Sequence, residues 1–242
     1  MKILVLGNIN GNFGFVNNLI EETKCDLVLC TGNVGMYYFH DKLLPKKQQN
    51  NNFYQYLIGK KKLLKPMVVV PGNRENYYLV SKFYSKKIEM NNFVVLGQGE
   101  KVIMTNENGA VGITGLCGSY SPIHYNQTKV IEFKYSNLRY FHKEDVSRFI
   151  ENGKTNILLM HELVGPYIGK AISFTEDQLN IFYQTLASYC FVGRYGKWIH
   201  AALPRSYKTI EFISLPYASE GYGILDTFSW NFNGVNKMVE GE

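Results

Sequence analysis

The chain has 242 residues, 45% hydrophobic and 19% charged, with a formal net charge of +6 and a pI near 8.9. That balance excludes an intrinsically disordered chain, and the length accommodates one large α/β domain. The positive excess suits a polyanionic partner, and no run approaches the ~18 apolar residues of a membrane-spanning helix.

In chain order, strands are expected at Lys2–Leu6, Leu27–Thr31, Met67–Val70 and Phe93–Leu96, with helices at Phe13–Thr23, near Phe53–Lys62 and at Tyr77–Lys86. The first run is too short for the apolar region of a signal peptide. Short apolar runs alternating with helices predict βαβ units whose strands are covered on both faces. Gly7, Gly32 and Gly72 follow the first three strand ends and set three polar loops along one sheet edge, where open α/β sheets hold ligands. "KKQQNNN" (Lys46–Asn52) reads as a polar loop and no more.

Lys101–Thr105 and Ala110–Gly115 form an expected antiparallel pair about the turn "NENG". A polar, aromatic loop runs from Gly118 to Asn137, and "HKEDVSRFIENG" (His142–Gly153) is a helix with an acidic start and a glycine stop. Strand Asn156–Met160 leads to His161, a helix lies near Thr175–Leu186, and strand Tyr189–Val192 leads to Gly193. The tail from Ile199 to Trp230 is strand-like, most clearly at Ile210–Leu215 and Gly223–Phe228. No repeat or linker divides residues 1–242. Cys25, Cys30, Cys117 and Cys190 show no C-x-x-C spacing of a zinc or redox site; Cys25, Cys30 and Cys190 sit in apolar strand-like runs and read as buried thiols, and the expectation is a soluble, intracellular protein.

Five strand ends carry polar loops: "GNIN" at 7–10, "TGNV" at 31–34, "PGNRE" at 71–75, "LMHE" at 159–162 and "VGRYG" at 192–196. In this order they resemble the signature loops of the calcineurin-like metallophosphoesterases, which read GDxH, GDxxD, GNHE, a lone His and GHxH. The resemblance runs from about Lys2 to Leu215. It implies an α/β fold, a two-sheet β-sandwich flanked by helices. It also implies a pair of metal ions that activate water for attack on phosphorus.

Matched residue by residue, the chain departs from that family. Asn8 and Asn10 stand where the first Asp and His would be, and Asn33 replaces the bridging Asp. Asn73 matches, Arg74 replaces a His, His161 matches, and Arg194 and Gly196 replace the last two histidines. No carboxylate remains among these ligands. Arginine cannot deprotonate to bind a metal, and at 4 Å with an effective dielectric of 20 each unit-charge pair repels by about 4 kcal/mol. The expectation is a cleft with no metal, no cofactor and no catalytic residue. Arg74, Arg194, Asn73, His161 and Tyr195 then bind phosphate or RNA without turnover.

Other readings stay open at this point. Arg74 and Arg194 can be surface residues paired with Glu75 or Glu162, and His161 can be a core histidine bonded to a carbonyl. His161, His200 and Asp41 or Glu75 can hold one metal, and His161 with Arg194 can assist metal-free RNA cleavage. His200 and His142 are ambiguous on their own, and His40 and His124 sit in loops. A pure protein scaffold would show an exposed apolar patch.

Four further stretches narrow the resemblance. "GITGLCGSY" (112–120) and "LRYFHKEDV" (138–146) resemble the lariat debranching enzyme. "IHAALPRSY" (199–207) and "IEFISLPYASEGYGILDTFSW" (210–230) are similar to the last strands of the N-terminal domain in its CwfJ-like associated proteins, whose metal site is degenerate. The implied role is an accessory in intron lariat turnover or the late spliceosome. Its implied partners are branched RNA, the debranching enzyme or spliceosomal proteins, with a nuclear address, no membrane partner and a place as the N-terminal domain of a longer protein left open. Tyr37, Tyr38, Tyr77, Tyr78, Tyr120 and Tyr195 lie near the loops as stacking surfaces for bases, about half of them expected to be buried.

Overall fold

Alternation within the strands decides the architecture. In β1 (Lys2–Leu6), Ile3 and Val5 face one side and Leu4 and Leu6 the other, and all four are fully buried. Successive strand side chains point to opposite faces, so such a strand has to be covered twice. The computed structural model describes residues 1–37, 51–126, 138–163, 176–203 and 209–237, and within them each sheet carries helices on its outer face.

The elements in chain order are β1, α1 (Phe13–Thr23), β2 (Leu27–Cys30), α2 (Phe53–Leu57), β3 (Met67–Val69), α3 (Tyr77–Tyr84), β4 (Phe93–Val95), β5 (Lys101–Asn106) and β6 (Gly109–Leu116). There follow α4 (Pro122–Tyr125), α5 (Lys143–Asn152), β7 (Ile157–Met160), α6 (Glu176–Tyr183), β8 (Tyr189–Gly196), β9 (Ile199–Leu203), β10 (Ile210–Pro216), β11 (Gly221–Asp226) and β12 (Asn231–Asn236). One sheet has the order β12-β11-β1-β2-β3-β4 and the other β5-β6-β7-β8-β10-β9. β1 to β4 are mutually parallel, as are β6, β7, β8 and β10, so both sheets send their parallel strand ends toward polar loops.

The middle apolar layer joins the sheets through Ile3, Val5, Leu29 and Val68 on one side and Ile113, Leu159, Phe191 and Ile213 on the other. Outside the first sheet, Phe13, Val16 and Leu19 of α1 pack with Phe53, Leu79 and Val80. Outside the second, Phe149 of α5 and Phe182 of α6 cover Leu158, Cys190 and Phe212. The expected two-sheet α/β sandwich is the observed fold. Burial pushes the thiols of Cys30 and Cys117 up to about 12, and all four cysteines are buried and unpaired, as inert packing groups are.

Local chemistry sets the helix ends. The Asn12 side chain accepts from the Phe15 amide at 3.1 Å, and Asn76 caps α3 from Leu79 at 3.3 Å. At α5 the Asp145 carboxylate reaches back to the His142 amide at 2.9 Å, a capping box that accounts for "HKED".

Four expectations shift. α2 ends at Leu57 rather than near Lys62, because Gly59 takes a φ of +74° two residues on. β8 continues past Val192 to Gly196, so "VGRYG" is strand; a Cβ on Gly193 would lie 2.2 Å from Thr31 Oγ1, and only glycine lets the strand pass. The last strands are Gly221–Asp226 and the unforeseen β12, with Phe228 exposed in the turn between them. The end of the polar loop does structural work: Asn52 accepts from the Phe13 amide at 2.9 Å and Asn51 donates to the Gly35 carbonyl at 2.7 Å.

Candidate functional site

The loops after β1, β2, β3 and β7 meet β8 at one edge of the sandwich. The first two are stitched together by their backbones, Asn10 N–H to Asn33 O at 2.9 Å and Gly11 N–H to Val34 O at 2.6 Å. Asn10 and Asn33 hold left-handed φ values of 50° and 44°, which asparagine tolerates better than most residues. Gly32, at φ +109°, brings its loop so close to His161 that a Cβ would stand 2.4 Å from Nδ1.

One carboxylate organises these turns. Glu75 is 3% exposed and accepts from the amides of Val34 (2.5 Å), Gly35 (3.0 Å), Met36 (2.9 Å) and Gly72 (3.4 Å). Burial pushes its carboxyl above the ordinary range, against the pull of those four N–H groups. Glu75 is therefore turned inward to the backbone and is not the partner of Arg74. Arg74 is exposed and makes no ion pair with a described residue, while its own amide donates to Asn33 Oδ1 at 3.3 Å. Arg194 does pair: its Nε lies 3.5 Å from Glu162 Oε2. Burial raises the Glu162 carboxyl and the guanidinium opposes that.

Asn8 and His161 have fixed orientations. Asn8 Nδ2 donates to the Gly193 carbonyl at 3.1 Å, leaving Oδ1 buried with no hydrogen bond among the described residues. His161 is fully buried, with Nδ1 3.1 Å from the Thr31 carbonyl. A carbonyl only accepts, so Nδ1 carries the proton and Nε2 is a bare lone pair, again unpartnered. Asn73 Oδ1 is a third such buried acceptor. Burial foremost, then the charges of Arg194 and Arg74, push the His161 imidazole down to about 4, against the help of Thr31.

A stability prediction follows with a definite sign. Between about pH 4 and 6.5 the unfolded chain binds a proton at His161 that the folded chain refuses, so stability rises with pH across that window. The rise is about 3 kcal/mol. Urea denaturation from pH 4 to 7 is expected to show this rise in the wild type and not in His161→Gln; superimposed profiles would mean that the imidazole is not held neutral.

The two-metal centre implied by the resemblance does not fit these residues. The position of its first carboxylate holds an amide that must donate, to Gly193 O. Asn33 Oδ1 is taken by a backbone amide, and Glu75 is spent on four others. Among the described residues no group of three His, Cys, Asp or Glu is arranged to hold a metal ion. The alternative one-metal grouping is not assembled either. His200 lies on β9, three strand positions from β7, or about 14 Å, and bonds Glu211 at 2.6 Å. Asp41, His40 and Tyr38 lie outside the described residues.

Two tyrosines expected as stacking surfaces are buried braces: Tyr37 OH donates to the Arg74 carbonyl and Tyr77 OH to that of Gly72 at 2.7 Å. Tyr78 is exposed, with Lys82 Nζ 4.7 Å above its ring. Tyr120 packs at a tilt against Tyr125 and Phe141, and Tyr195 is half-buried against the outer core of the second sheet. Gly196, at φ +60°, lies against the Tyr217 ring and offers no ligand.

Arg139, in "LRYFHKEDV", belongs to the site as well, outside the expected set of residues. Its Nε is buried with no hydrogen-bond partner among the described residues, and its charge acts against the burial that raises the Tyr77 phenol. A signal existed: the chain has only five arginines among its 26 basic residues, and Arg74, Arg139 and Arg194 gather around these loops.

A model of the calcineurin-like phosphoesterase family matches residues 1–193. Among solved structures, one crystal structure with 16% identity aligns over 97% of this chain and 98% of its own, with a TM-score of 0.60. A dimetal phosphatase from Danio rerio, 9% identical, aligns over 93% of this chain and 91% of its own, with a TM-score of 0.57. At these identities the likeness is one of fold. No curated protein matches the sequence.

Proposed function

The chain belongs to the calcineurin-like phosphoesterase family, and we propose that it is a member that binds phosphodiesters of RNA in its old catalytic cleft without metal and without turnover. One observation carries the reading: the position of the family's first carboxylate is occupied by Asn8, whose amide donates to Gly193, while Arg74 and Arg194 bring fixed positive charge to the same loops. Guanidiniums and amides suit phosphate oxygens, and they suit dications badly. A hydrolytic reading would lean on His161, and an imidazole pushed down to about 4 is a weak proton acceptor at neutral pH.

The finer reading follows the sequence resemblance: an accessory of intron lariat turnover or the late spliceosome, in the nucleus, binding branched RNA beside the debranching enzyme or spliceosomal proteins. The test is RNA binding by the Arg74→Glu, Arg194→Glu double variant across a salt series. Affinity for single-stranded or branched RNA is expected to fall at least about tenfold. The slope of log K against log salt should flatten by about 1.4, at roughly 0.7 per lost phosphate contact. Unchanged affinity and slope would remove the cleft as the RNA site, and cleavage that disappears in His161→Ala would replace binding with catalysis.

A further inference from the structure

The positive excess is concentrated in one place. Residues 60–89 hold Lys60, Lys61, Lys62, Lys65, Arg74, Lys82, Lys86 and Lys87 against Glu75 and Glu89, an excess of six that equals the whole chain's +6. Arg74 and Glu75 belong to the cleft and cancel formally. The lysines lie elsewhere. Lys60 to Lys65 precede β3, and Lys86 and Lys87 precede β4, so both groups sit at the strand ends opposite the cleft loops.

The two segments adjoin. Asn92 Nδ2 donates to the Leu63 carbonyl at 3.0 Å and the Met67 amide to the Asn92 carbonyl at 2.8 Å, and a cavity of about 300 Å³ between them is lined by Ile58, Lys61, Lys62, Glu89 and Met90 among others. Lys60, Lys61, Lys62, Lys65, Lys86 and Lys87 are all exposed, and none forms an ion pair with a described residue. Two aliphatic side chains stand exposed among them, Ile58 at 45% and Leu64 at 47%.

Lysines alone would suit any polyanion, and the rest of the surface decides between partners. Nucleic-acid surfaces bring arginine forks and exposed aromatic rings for bases. Neither segment, 58–66 or 85–92, contains an arginine or an aromatic residue, and Tyr56, which also lines the cavity, is buried at 4% exposure with its OH accepting from Asn17 Nδ2. Exposed aliphatics amid four to eight lysines are what an anionic bilayer surface rewards, because the ammonium groups stay among headgroups while the apolar chains reach the acyl boundary. We propose that this face docks the protein on an anionic lipid membrane, through the six lysines together with Ile58 and Leu64.

No helix among the described residues is long and apolar enough to cross a membrane, and an interfacial contact needs none. The expectation of no membrane partner rested only on the lack of a spanning run. Docked this way, the cleft at the other ends of β3 and β4 faces the solution.

Co-sedimentation of the full chain with phosphatidylcholine vesicles, with and without phosphatidylserine, tests the proposal. The wild type is expected to bind only the phosphatidylserine vesicles and to be released by high salt. Lys60→Glu, Lys61→Glu, Lys62→Glu together should weaken this at least about a hundredfold, at roughly fivefold per lysine. Leu64→Ser leaves the charge intact and should still weaken binding measurably. Thermal unfolding of both variants checks that these exposed changes leave the fold intact. No partition of the wild type would overturn the proposal. So would binding that both variants retain, or a triple variant that loses RNA affinity while the wild type ignores vesicles.

Discussion

Glu75→Ala is expected to cost about 4 kcal/mol of folding stability, the largest loss from any single change at the cleft. Its carboxylate serves the amides of Val34, Gly35, Met36 and Gly72 at 2.5 to 3.4 Å, in a position 3% exposed. Removing it strands buried donors at about 1–3 kcal/mol each, partly offset by sparing the carboxylate its own desolvation. Glu75→Gln keeps the shape but turns an NH₂ toward backbone donors, so it should fall about halfway. The pH dependence has a sign too. Burial raises the folded-state carboxyl above its unfolded value, so this group favours the folded state most below about pH 4.5, and that advantage fades as pH rises through the folded value. Urea titrations of the three proteins at several pH values measure all of this. A loss under about 1 kcal/mol for Glu75→Ala would mean that the loops hold themselves.

Asn8→Asp returns the residue that the family carries at this position, and it is expected to destabilise the protein by about 3 kcal/mol. Asn8 donates to the Gly193 carbonyl at 3.1 Å from a site 3% exposed. An aspartate there faces a carbonyl with a carboxylate, acceptor against acceptor, and buries a charge. The nearby arginines soften the cost without supplying the missing donor. Protonation would restore one, so the loss should shrink on acidification. Chemical denaturation in metal-free buffer at pH 7 is the measurement. A variant as stable as the wild type would show that the loops still accommodate the carboxylate of a metal site, against the amide-built cleft.

The fold was legible because its strands are apolar on both faces. Runs such as "KILVL", "LVLC" and "ILLM" could only be buried between layers, and the glycine loops that follow them marked the functional edge. β12 stayed hidden because "NFNGVN" is an exposed edge strand, with only Phe232 and Val235 turned inward toward apolar layers. The length of β8 is hidden in the sequence because Gly193 reads as a stop, and only the fold brings Thr31, 162 positions away, against it. In the cleft, the order of the five loops was readable from the chain alone. The roles of Asn8 and Glu75 were not. Glu75 stands next to Arg74 and looks like its partner, yet adjacent side chains diverge, and three of the four amides that claim it belong to residues 34–36. Asn8 shows itself as a donor only once Gly193 is brought beside it.

The most direct measurement is metal content. The purified chain is incubated with excess Mn²⁺, Fe²⁺ and Zn²⁺, desalted, and its bound ions counted by mass spectrometry, with an intact dimetal phosphatase of the same fold alongside. A cleft built from amides and arginines predicts less than about a tenth of an ion per chain while the control stays loaded. One or two ions per chain, held through desalting, would contradict it and make the cleft a metal-dependent active site with ligands of a new kind.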